Sequence, residues 1–110
     1  MEEIVYNITI KVRWDILEDW LAWQLEEQIP AVLLTKLFDR HRFYRLLEQE
    51  EEEGPTFVVQ YFTSSLERYR QFMIEFAPAI QQEGWEKWGN GFISFRTLMT
   101  SVDPPSPPVH

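Results

Sequence analysis

Residues 4–14 read IVYNITIKVRW, and the alternation of side chains in this stretch is the strongest structural signal in the chain. Every even-numbered position is apolar, whereas among the odd-numbered positions only Val5 is apolar. Successive side chains of a strand point to opposite faces, so the pattern predicts a strand with one dry face and one mixed face. Its many β-branched residues favour a place in the middle of a sheet. What covers the mixed face is therefore the main question about function.

The composition limits the partners and suggests a second buried surface. The chain has 110 residues and a formal net charge of −8. A field of that sign repels phosphate groups, so we expect neither nucleic acid nor an anionic membrane as a partner. Five tryptophans and eight phenylalanines are more than a small core requires. They indicate either an aromatic-rich core or a further buried surface, such as a dimer interface or a pocket.

Several classes of site lack their sequence signals. The chain has no cysteine, so it has no disulfide framework and no thiolate metal site. Calcium-type loops, glycine-rich phosphate loops and nucleophile-elbow motifs are absent from the sequence, and we expect no metal and no cofactor. The first residues do not resemble a signal peptide, and no apolar run reaches the length of a membrane span. These features predict a soluble cytoplasmic protein of bacterial type.

The first half of the chain continues with a helix and an edge strand. Asp15 and Glu18 have the spacing of a capping box, which predicts a helix start, and Pro30 predicts its end. Pro30 can also begin a further short helical turn, Ala31–Leu34. Residues 37–47 have strand character but carry several charges, which is typical of a sheet edge. The acidic run 48–53 predicts a solvated hairpin loop.

The second half repeats the same order of elements. The run Thr56–Thr63 alternates as a strand, Ser64 and Glu67 have capping-box spacing, and Pro78 should kink or restart the helix that follows. Residues 92–102 form the fourth predicted strand, and residues 103–110 form a proline-rich tail that we expect to be disordered. Residues 27–32 (EQIPAV) and 75–80 (EFAPAI) resemble each other, as a duplicated half would predict.

This order predicts an α+β, ferredoxin-like βαββαβ domain over residues 1–102, with a four-stranded antiparallel sheet and both helices on one face. The opposite face should be too apolar to remain open to water, and two chains packed sheet to sheet would cover it as a homodimeric α+β barrel. The residues predicted on this open face are Val5, Asn7, Thr9, Val58, Gln60, Phe62, Arg96 and Leu98.

A polar cluster on the open face is the candidate ligand site. Asn7, Gln60 and Arg96 would share it, and Tyr44 or Arg45 could join from the edge strand, whose facing the sequence leaves open. Arginine binds carboxylate and phosphate groups through two parallel hydrogen bonds, so the cluster could form a small-anion pocket between two sheets. The alternative is that these residues pair with one another, or with glutamates across the dimer interface.

Several segments together resemble a family. In order along residues 4–102, the chain is similar to a short bacterial family, domain of unknown function 4286. The segments that carry the likeness are IVYNIT at 4–9, IP at 29–30, RLLEQ at 45–49, VQYF at 59–62, EFAPA at 75–79 and FRTLM at 95–99.

The resemblance implies a dimeric ferredoxin-like protein without an assigned activity. It also implies a histidine before the Ile-Pro pair and another late in the second helix. Here Gln28 and Gly84-Trp85 hold those places, and this departure argues against an enzyme.

Two functional hypotheses follow from the sequence. The favoured one is a non-enzymatic homodimer that serves as an interaction or small-ligand-binding module. The alternative is a cofactor-independent, monooxygenase- or isomerase-like enzyme that acts on a small anionic or aromatic molecule in a pocket at the dimer sheet face. Arg96 separates them, because in the first it pairs within protein and in the second it faces a cavity.

Overall fold

The structure is a computed structural model and describes residues 3–103. Four strands and two interrupted helices alternate in the predicted order. The elements are β1 (Ile4–Val12), a 3₁₀ turn (Trp14–Ile16), α1 (Leu17–Trp23), a π-turn (Gln24–Gln28), α2 (Ile29–Leu34), β2 (Arg40–Arg45), β3 (Thr56–Thr63), α3 (Leu66–Glu75), α4 (Ala77–Trp88), a second 3₁₀ turn (Gly89–Gly91) and β4 (Phe92–Thr100).

The strands form one antiparallel sheet in the order β2-β3-β1-β4, which confirms the ferredoxin-like prediction and places β1 in the interior. The even-numbered side chains of β1 point towards the helices, and Ile4, Tyr6, Ile10 and Val12 are all buried. We call this side the covered face. The other side, which carries the odd-numbered side chains of β1, is the open face.

The first helix does not start as predicted. Asp15 lies in the 3₁₀ turn and accepts a hydrogen bond from Arg13 Nη2 at 2.7 Å. The following helix α1 has no side-chain cap, so the predicted capping box of Asp15 and Glu18 is wrong. The reason is local, because a nearby guanidinium takes the carboxylate that would otherwise bind the first free amides.

Pro30 marks a break in the helix, and the short helical turn predicted after it is confirmed. The chain stays helical through Leu34, and Pro30 occupies one of the first two positions of α2. A proline lacks an amide proton and its ring crowds the carbonyl group four residues earlier, so a regular α-helix cannot continue through it undisturbed. The wider π-turn Gln24–Gln28 directly before α2 relieves this crowding.

The second helix starts one residue later than predicted and breaks where predicted. Ser65, not Ser64, is the N-cap, and its hydroxyl accepts a hydrogen bond from the Arg68 amide at 3.3 Å. Pro78 lies at the start of α4, after a break at Phe76. Both prolines of the repeated segments therefore mark the junction between two half-helices, which supports the interpretation of a duplicated βαβ unit.

Much of the aromatic surplus lies in the core between sheet and helices. Trp20, Tyr61 and Phe72 are each at most 2% exposed. The rings of Trp20 and Phe57 lie 5.4 Å apart, and those of Phe38 and Phe72 lie 5.0 Å apart in an edge-on arrangement. The aromatic-rich core that the composition allowed is therefore present on the covered face.

The loop between β2 and β3 and the end of the chain complete the fold. Ion pairs join Lys11 to Glu50 at 2.9 Å and Arg45 to Glu51 at 2.7 Å, which hold the exposed acidic loop against the sheet. Strand β2 is shorter than predicted, and β4 ends at Thr100. Residues 104–110 of the predicted tail lie outside the described residues. Within residues 3–103, no helix is long and apolar enough to cross a membrane.

Candidate functional site

A row of polar side chains crosses the open face. The strand register places Asn7 opposite Gln60 on one side and Thr97 on the other, and Arg42 opposite Gln60 at the edge. Gln60 Nε2 donates to Asn7 Oδ1 at 3.2 Å, and Asn7 Nδ2 donates to Thr9 Oγ1 at 3.4 Å. Asn7 and Gln60 therefore meet on this face, where they pair with each other.

The edge strand divides the remaining predicted residues between the two faces. Tyr44 lies opposite Val58 on the open face and is 46% exposed. Arg45, the next residue, points to the other side, where it pairs with Glu51 and lies 5.9 Å from the Trp14 ring. Arg45 is thus tied to the acidic loop and is not part of the open-face cluster.

Arg96 does not lie on the open face, and this prediction was wrong. It is the register partner of Ile8, an even-numbered residue of β1, so its side chain belongs to the covered face, and Leu98 follows it there. The open-face residues of β4 are instead Ile93, Phe95, Thr97 and Met99. Both faces of β4 mix polar and apolar side chains, so its pattern alone does not show which face is covered.

On the covered face, Arg96 forms a hydrogen-bonded pair with Tyr6. Arg96 Nε donates to the Tyr6 hydroxyl oxygen at 2.9 Å. Tyr6 is only 3% exposed, whereas Arg96 is exposed at the edge of the sheet. Among residues 3–103, no carboxylate forms an ion pair with Arg96. Its guanidinium group therefore keeps free donors beside the buried hydroxyl.

Arg96 and Tyr6 line a cavity of about 70 Å³ between the covered face, the π-turn and α4. Most of its wall is aromatic or aliphatic, and these apolar residues include Ile8, Ile10, Trp20, Trp23, Phe72 and Phe92. Polar side chains converge on it from three elements, with Gln24 and Gln28 from the π-turn, Gln81 from α4, and Ser94 from β4. An apolar cavity with a few convergent polar groups is the usual form of a small-molecule site.

Gln24 is the most unusual polar residue of the cavity. It is 3% exposed as a residue and makes no side-chain hydrogen bond in the described chain, yet the polar side-chain atoms that are buried without a partner there belong to Thr63 and Trp88, not to Gln24. The Gln24 amide therefore reaches the cavity that it lines, where water or a ligand can complete its hydrogen bonds. Gln28 and Gly84, two of the positions where the family resemblance implies histidines, also line this cavity.

Burial controls the protonation of the two cavity tyrosines. Desolvation raises the pKa of Tyr6 above its usual value of 10.0, although the nearby Arg96 charge opposes this effect. Burial raises the pKa of Tyr61 still further. Both hydroxyl groups therefore stay protonated near neutral pH and can donate hydrogen bonds. The lining formed by described residues contains no histidine, cysteine, lysine or carboxylate.

The sequence carries a signal for this site that the predictions missed. Trp20, Gln24 and Gln28 recur at four-residue spacing, so they lie along one side of the first helical segment. Trp20 is an inward-facing core residue, and glutamines that continue its line towards the sheet are candidates for a buried polar site. Tyr6 gave no such signal, because a tyrosine on a dry strand face is ordinary core material.

The geometry defines an α+β protein of the ferredoxin-like class, with a small polar-ended cavity between sheet and helices. The chain belongs to the DUF4286 family, domain of unknown function, whose profile matches residues 3–102. A search of curated protein sequences finds no match.

Solved structures share the fold at low sequence identity. One is a mutant of SnoaB from Streptomyces nogalater, described as a cofactor-independent oxygenase, with a TM-score of 0.64, 13% identity, and coverage of 94% of this chain and 96% of that chain. Another is a dimeric ferredoxin-like protein from an uncultured marine organism, with a TM-score of 0.64, 10% identity and coverage of 94% and 99%. HapK from Hahella chejuensis has a TM-score of 0.62, 11% identity and coverage of 100% and 99%. These similarities establish the fold.

Proposed function

We propose that this protein is a homodimeric small-molecule-binding module with one ligand site in each protomer, in the cavity between the covered face and the helices. The observation that carries the proposal is that one cavity is lined both by the Gln24 amide, which has no hydrogen-bond partner in the described chain, and by Arg96, which keeps free guanidinium donors. A folded protein tolerates such groups when a ligand or ordered water completes their hydrogen bonds.

The ionisable groups of the cavity favour binding over acid–base chemistry. An efficient general base has a pKa near the working pH, and the described lining offers only tyrosines, whose raised pKa keeps them protonated, and one arginine. These groups are good hydrogen-bond donors and poor proton acceptors. They suit the recognition of a ligand oxygen atom.

The open face is the proposed dimer interface. Phe95 is 67% exposed, Ile93 is 60% exposed, Tyr44 is 46% exposed and Met99 is 38% exposed. Four strands spaced about 4.8 Å apart and roughly eight residues long give a flat face of about 500 Å². The projecting side chains add further accessible area to this value. With the area of the side chains included, the face approaches the roughly 800 Å² that each partner of a stable complex buries. A second copy packed sheet to sheet would cover it as an isologous pair.

Oligomeric state tests the interface. We expect the wild-type chain to scatter light as a dimer, and Phe95→Asp to give a folded monomer, because a buried carboxylate without a partner is strongly unfavourable at an interface. Ile74→Asp is the matched control, since Ile74 is 78% exposed on the helical side and should leave the dimer intact. A wild-type monomer, or a Phe95→Asp dimer of unchanged affinity, contradicts the proposed interface.

A small-molecule screen tests the site. In ¹H–¹⁵N spectra of the full chain, ligands should shift the indole signals of Trp20 and Trp23, which line the cavity, and leave that of Trp14 in place. Trp14 is a suitable internal reference because its indole nitrogen donates to the Glu51 carbonyl at 2.8 Å, at the acidic loop. Ligands that shift only open-face resonances, or no ligand at all from a chemically diverse set, would contradict the site.

A second candidate is a cofactor-independent enzyme that uses the same cavity and not a pocket at the dimer sheet face. Its support is the fold shared with SnoaB, which is described as a cofactor-independent oxygenase. Oxygen uptake by the protein in the presence of each ligand found in the screen distinguishes the two candidates. Uptake that depends on the protein and is lost in Gln24→Leu favours the enzyme, and binding without uptake favours the module.

A further inference from the structure

We propose that the ligand of this cavity is a short-chain carboxylate that carries a hydroxyl or keto group, with its carboxylate at Arg96 and its second oxygen at the side-chain amide of Gln24. This inference rests on the proposed function above, and it adds the charge, size and oxygen pattern of the ligand. Three features of the cavity support it.

The first feature is the charge at the cavity mouth. Arg96 uses Nε for Tyr6, and within residues 3–103 no carboxylate pairs with its guanidinium. The described lining has no acidic residue, so the cavity carries one uncompensated positive charge. The chain as a whole has a net charge of −8, but exposed charges beyond about 8 Å are largely screened at physiological salt. A planar carboxylate matches the free donors of a guanidinium group in charge and geometry.

The second feature is the direction of the Tyr6 hydroxyl group. Its oxygen accepts the hydrogen bond from Arg96, and no acceptor in the described chain takes its proton. The hydroxyl group is therefore available as a second donor next to the guanidinium. Two donors next to each other in the lining of one cavity suit an anionic oxygen and leave a cation or a purely apolar group unsatisfied.

The third feature is the small cavity with a second polar end. An engineered apolar cavity of about 150 Å³ admits benzene, so the roughly 70 Å³ measured here suits a smaller molecule. The Gln24 amide offers both a donor and an acceptor to a ligand oxygen or hydroxyl. Aromatic walls from Trp20 and Trp23 suit the short hydrocarbon part of such a ligand. Together these limits indicate a small hydroxy or keto acid.

Titration calorimetry on the full chain tests this assignment with lactate and pyruvate as probes. Propionate lacks the second oxygen, and lactamide is the neutral counterpart of lactate. We expect lactate or pyruvate to bind, with cavity indole shifts, and lactamide to bind at least about tenfold more weakly, since it lacks the charge that strengthens hydrogen bonds to a guanidinium. Propionate should also bind more weakly, and Gln24→Leu should remove the preference for the hydroxy or keto acid over propionate.

Substitution of the arginine supplies the decisive comparison. Arg96→Gln should raise the Kd for lactate or pyruvate by roughly 10- to 100-fold, which is the loss expected for charge-assisted hydrogen bonds. Arg96→Lys should give an intermediate Kd, because lysine keeps the positive charge but cannot donate two parallel hydrogen bonds to a carboxylate. Arg70→Gln is the matched control, since Arg70 is an exposed arginine of α3 without an ion pair in the described chain, and the Kd should not change.

The outcomes separate this inference from the proposed function. If lactamide binds as tightly as lactate, or the Kd for lactate is the same in Arg96→Gln, the carboxylate assignment is wrong while the cavity remains a ligand site. If other small molecules shift the Trp20 and Trp23 signals but none of the acids do, the assignment fails alone. If neither the acids nor any other small molecule shifts these signals, the proposed function fails with it.

Discussion

The two faces of this sheet use the same strands in opposite ways. On the covered face, Tyr6, Ile10 and Val12 of β1 are at most 6% exposed and lie beneath the helices. On the open face, Asn7 and Gln60 form part of a polar row that crosses the sheet between rows containing large apolar side chains. The open face is therefore mixed over its whole width, whereas the covered face is apolar along β1 and carries its polar residues towards the outer strands and around the cavity.

The two faces also differ in whether their polar side chains find hydrogen-bond or ion-pair partners within the chain. On the open face, Arg40 pairs with Glu3 and its guanidinium lies 3.8 Å from the centre of the Phe62 ring, so its interactions are satisfied locally. On the covered face, Gln24 has no partner in the described chain and Arg96 has only the Tyr6 hydroxyl. Gln24 lies on the dry side and Arg96 is exposed to water at the edge of the same cavity, so this cavity is the better place to look for a ligand that engages both groups.

The largest expected effect is a difference in unfolding free energy between an alanine substitution on the covered face and one on the open face. Trp20→Ala should lower the free energy of unfolding by about 3–5 kcal/mol, because it removes a large side chain that is only 1% exposed and leaves a void. Urea unfolding measures this loss. Phe95→Ala is the open-face counterpart and should cost less than about 0.5 kcal/mol in dilute, monomeric protein. Equal losses for the two variants would mean that the open face is already part of the folded core.

Strands β1 and β3 could be read from the sequence almost residue by residue. Their alternation is strong, so the facing of Asn7, Gln60 and the buried Tyr61 follows from period two alone. The two prolines and the order of elements likewise predict the ferredoxin-like topology. These signals are local, and the structure confirms them.

The facing of Arg96 could not be derived in the same way. The turn Gly89–Gly91 and the pairing with β1 determine which side chains of β4 face the helices. Both features depend on the three-dimensional fold and are not visible in the local sequence. A shift of one residue exchanges the faces of the whole strand, which moved Arg96 from the predicted open-face cluster to the cavity. The charged strand β2 had the same ambiguity, and there Tyr44 and Arg45 divide between the faces.

A smaller effect should appear at alkaline pH, and it concerns the covered face alone. Burial raises the pKa of Tyr6 and Tyr61 above the usual value of 10.0, so between that value and the folded pKa the native state holds more protons than the unfolded state. The stability that these hydroxyl groups contribute is therefore intact below about pH 10 and falls as the pH rises above it. The slope approaches about 1.4 kcal/mol per pH unit for each tyrosine that stays protonated.

The variant Tyr61→Phe isolates this contribution. Denaturant unfolding of wild type and variant at several pH values between about 9 and 11 gives two curves, in which other groups such as lysines contribute equally. We expect the wild type to lose stability relative to Tyr61→Phe as the pH rises above about 10, because only the wild type carries the Tyr61 proton that the unfolded chain releases. Parallel curves would show that the Tyr61 hydroxyl is as accessible to water in the folded chain as in the unfolded chain.

The smallest expected effect is a gain in stability that reduces the volume of the cavity. Gly84 lies inside α4, and a Cβ atom added there would lie 3.8 Å from the Trp23 ring and 3.9 Å from the Phe92 ring, which is ordinary van der Waals contact. Gly84→Ala should therefore raise the free energy of unfolding by about 0.5–1 kcal/mol, because alanine restricts the unfolded chain and favours the helix. Because Gly84 lines the cavity, the same methyl group should weaken ligand binding.

Gly89→Ala is the matched control for this last prediction. Gly89 ends the same helix with φ of +54°, a conformation that suits glycine, and no other group lies within 4 Å of the position that an alanine methyl group would take. Alanine there should lower stability by about 1 kcal/mol through backbone strain and leave ligand affinity unchanged. At Gly84 alanine should thus raise stability and weaken ligand binding, whereas at Gly89 it should lower stability and leave binding unchanged. If Gly84→Ala stabilises the protein and binds the ligand as well as wild type does, the ligand does not occupy the cavity on the covered face.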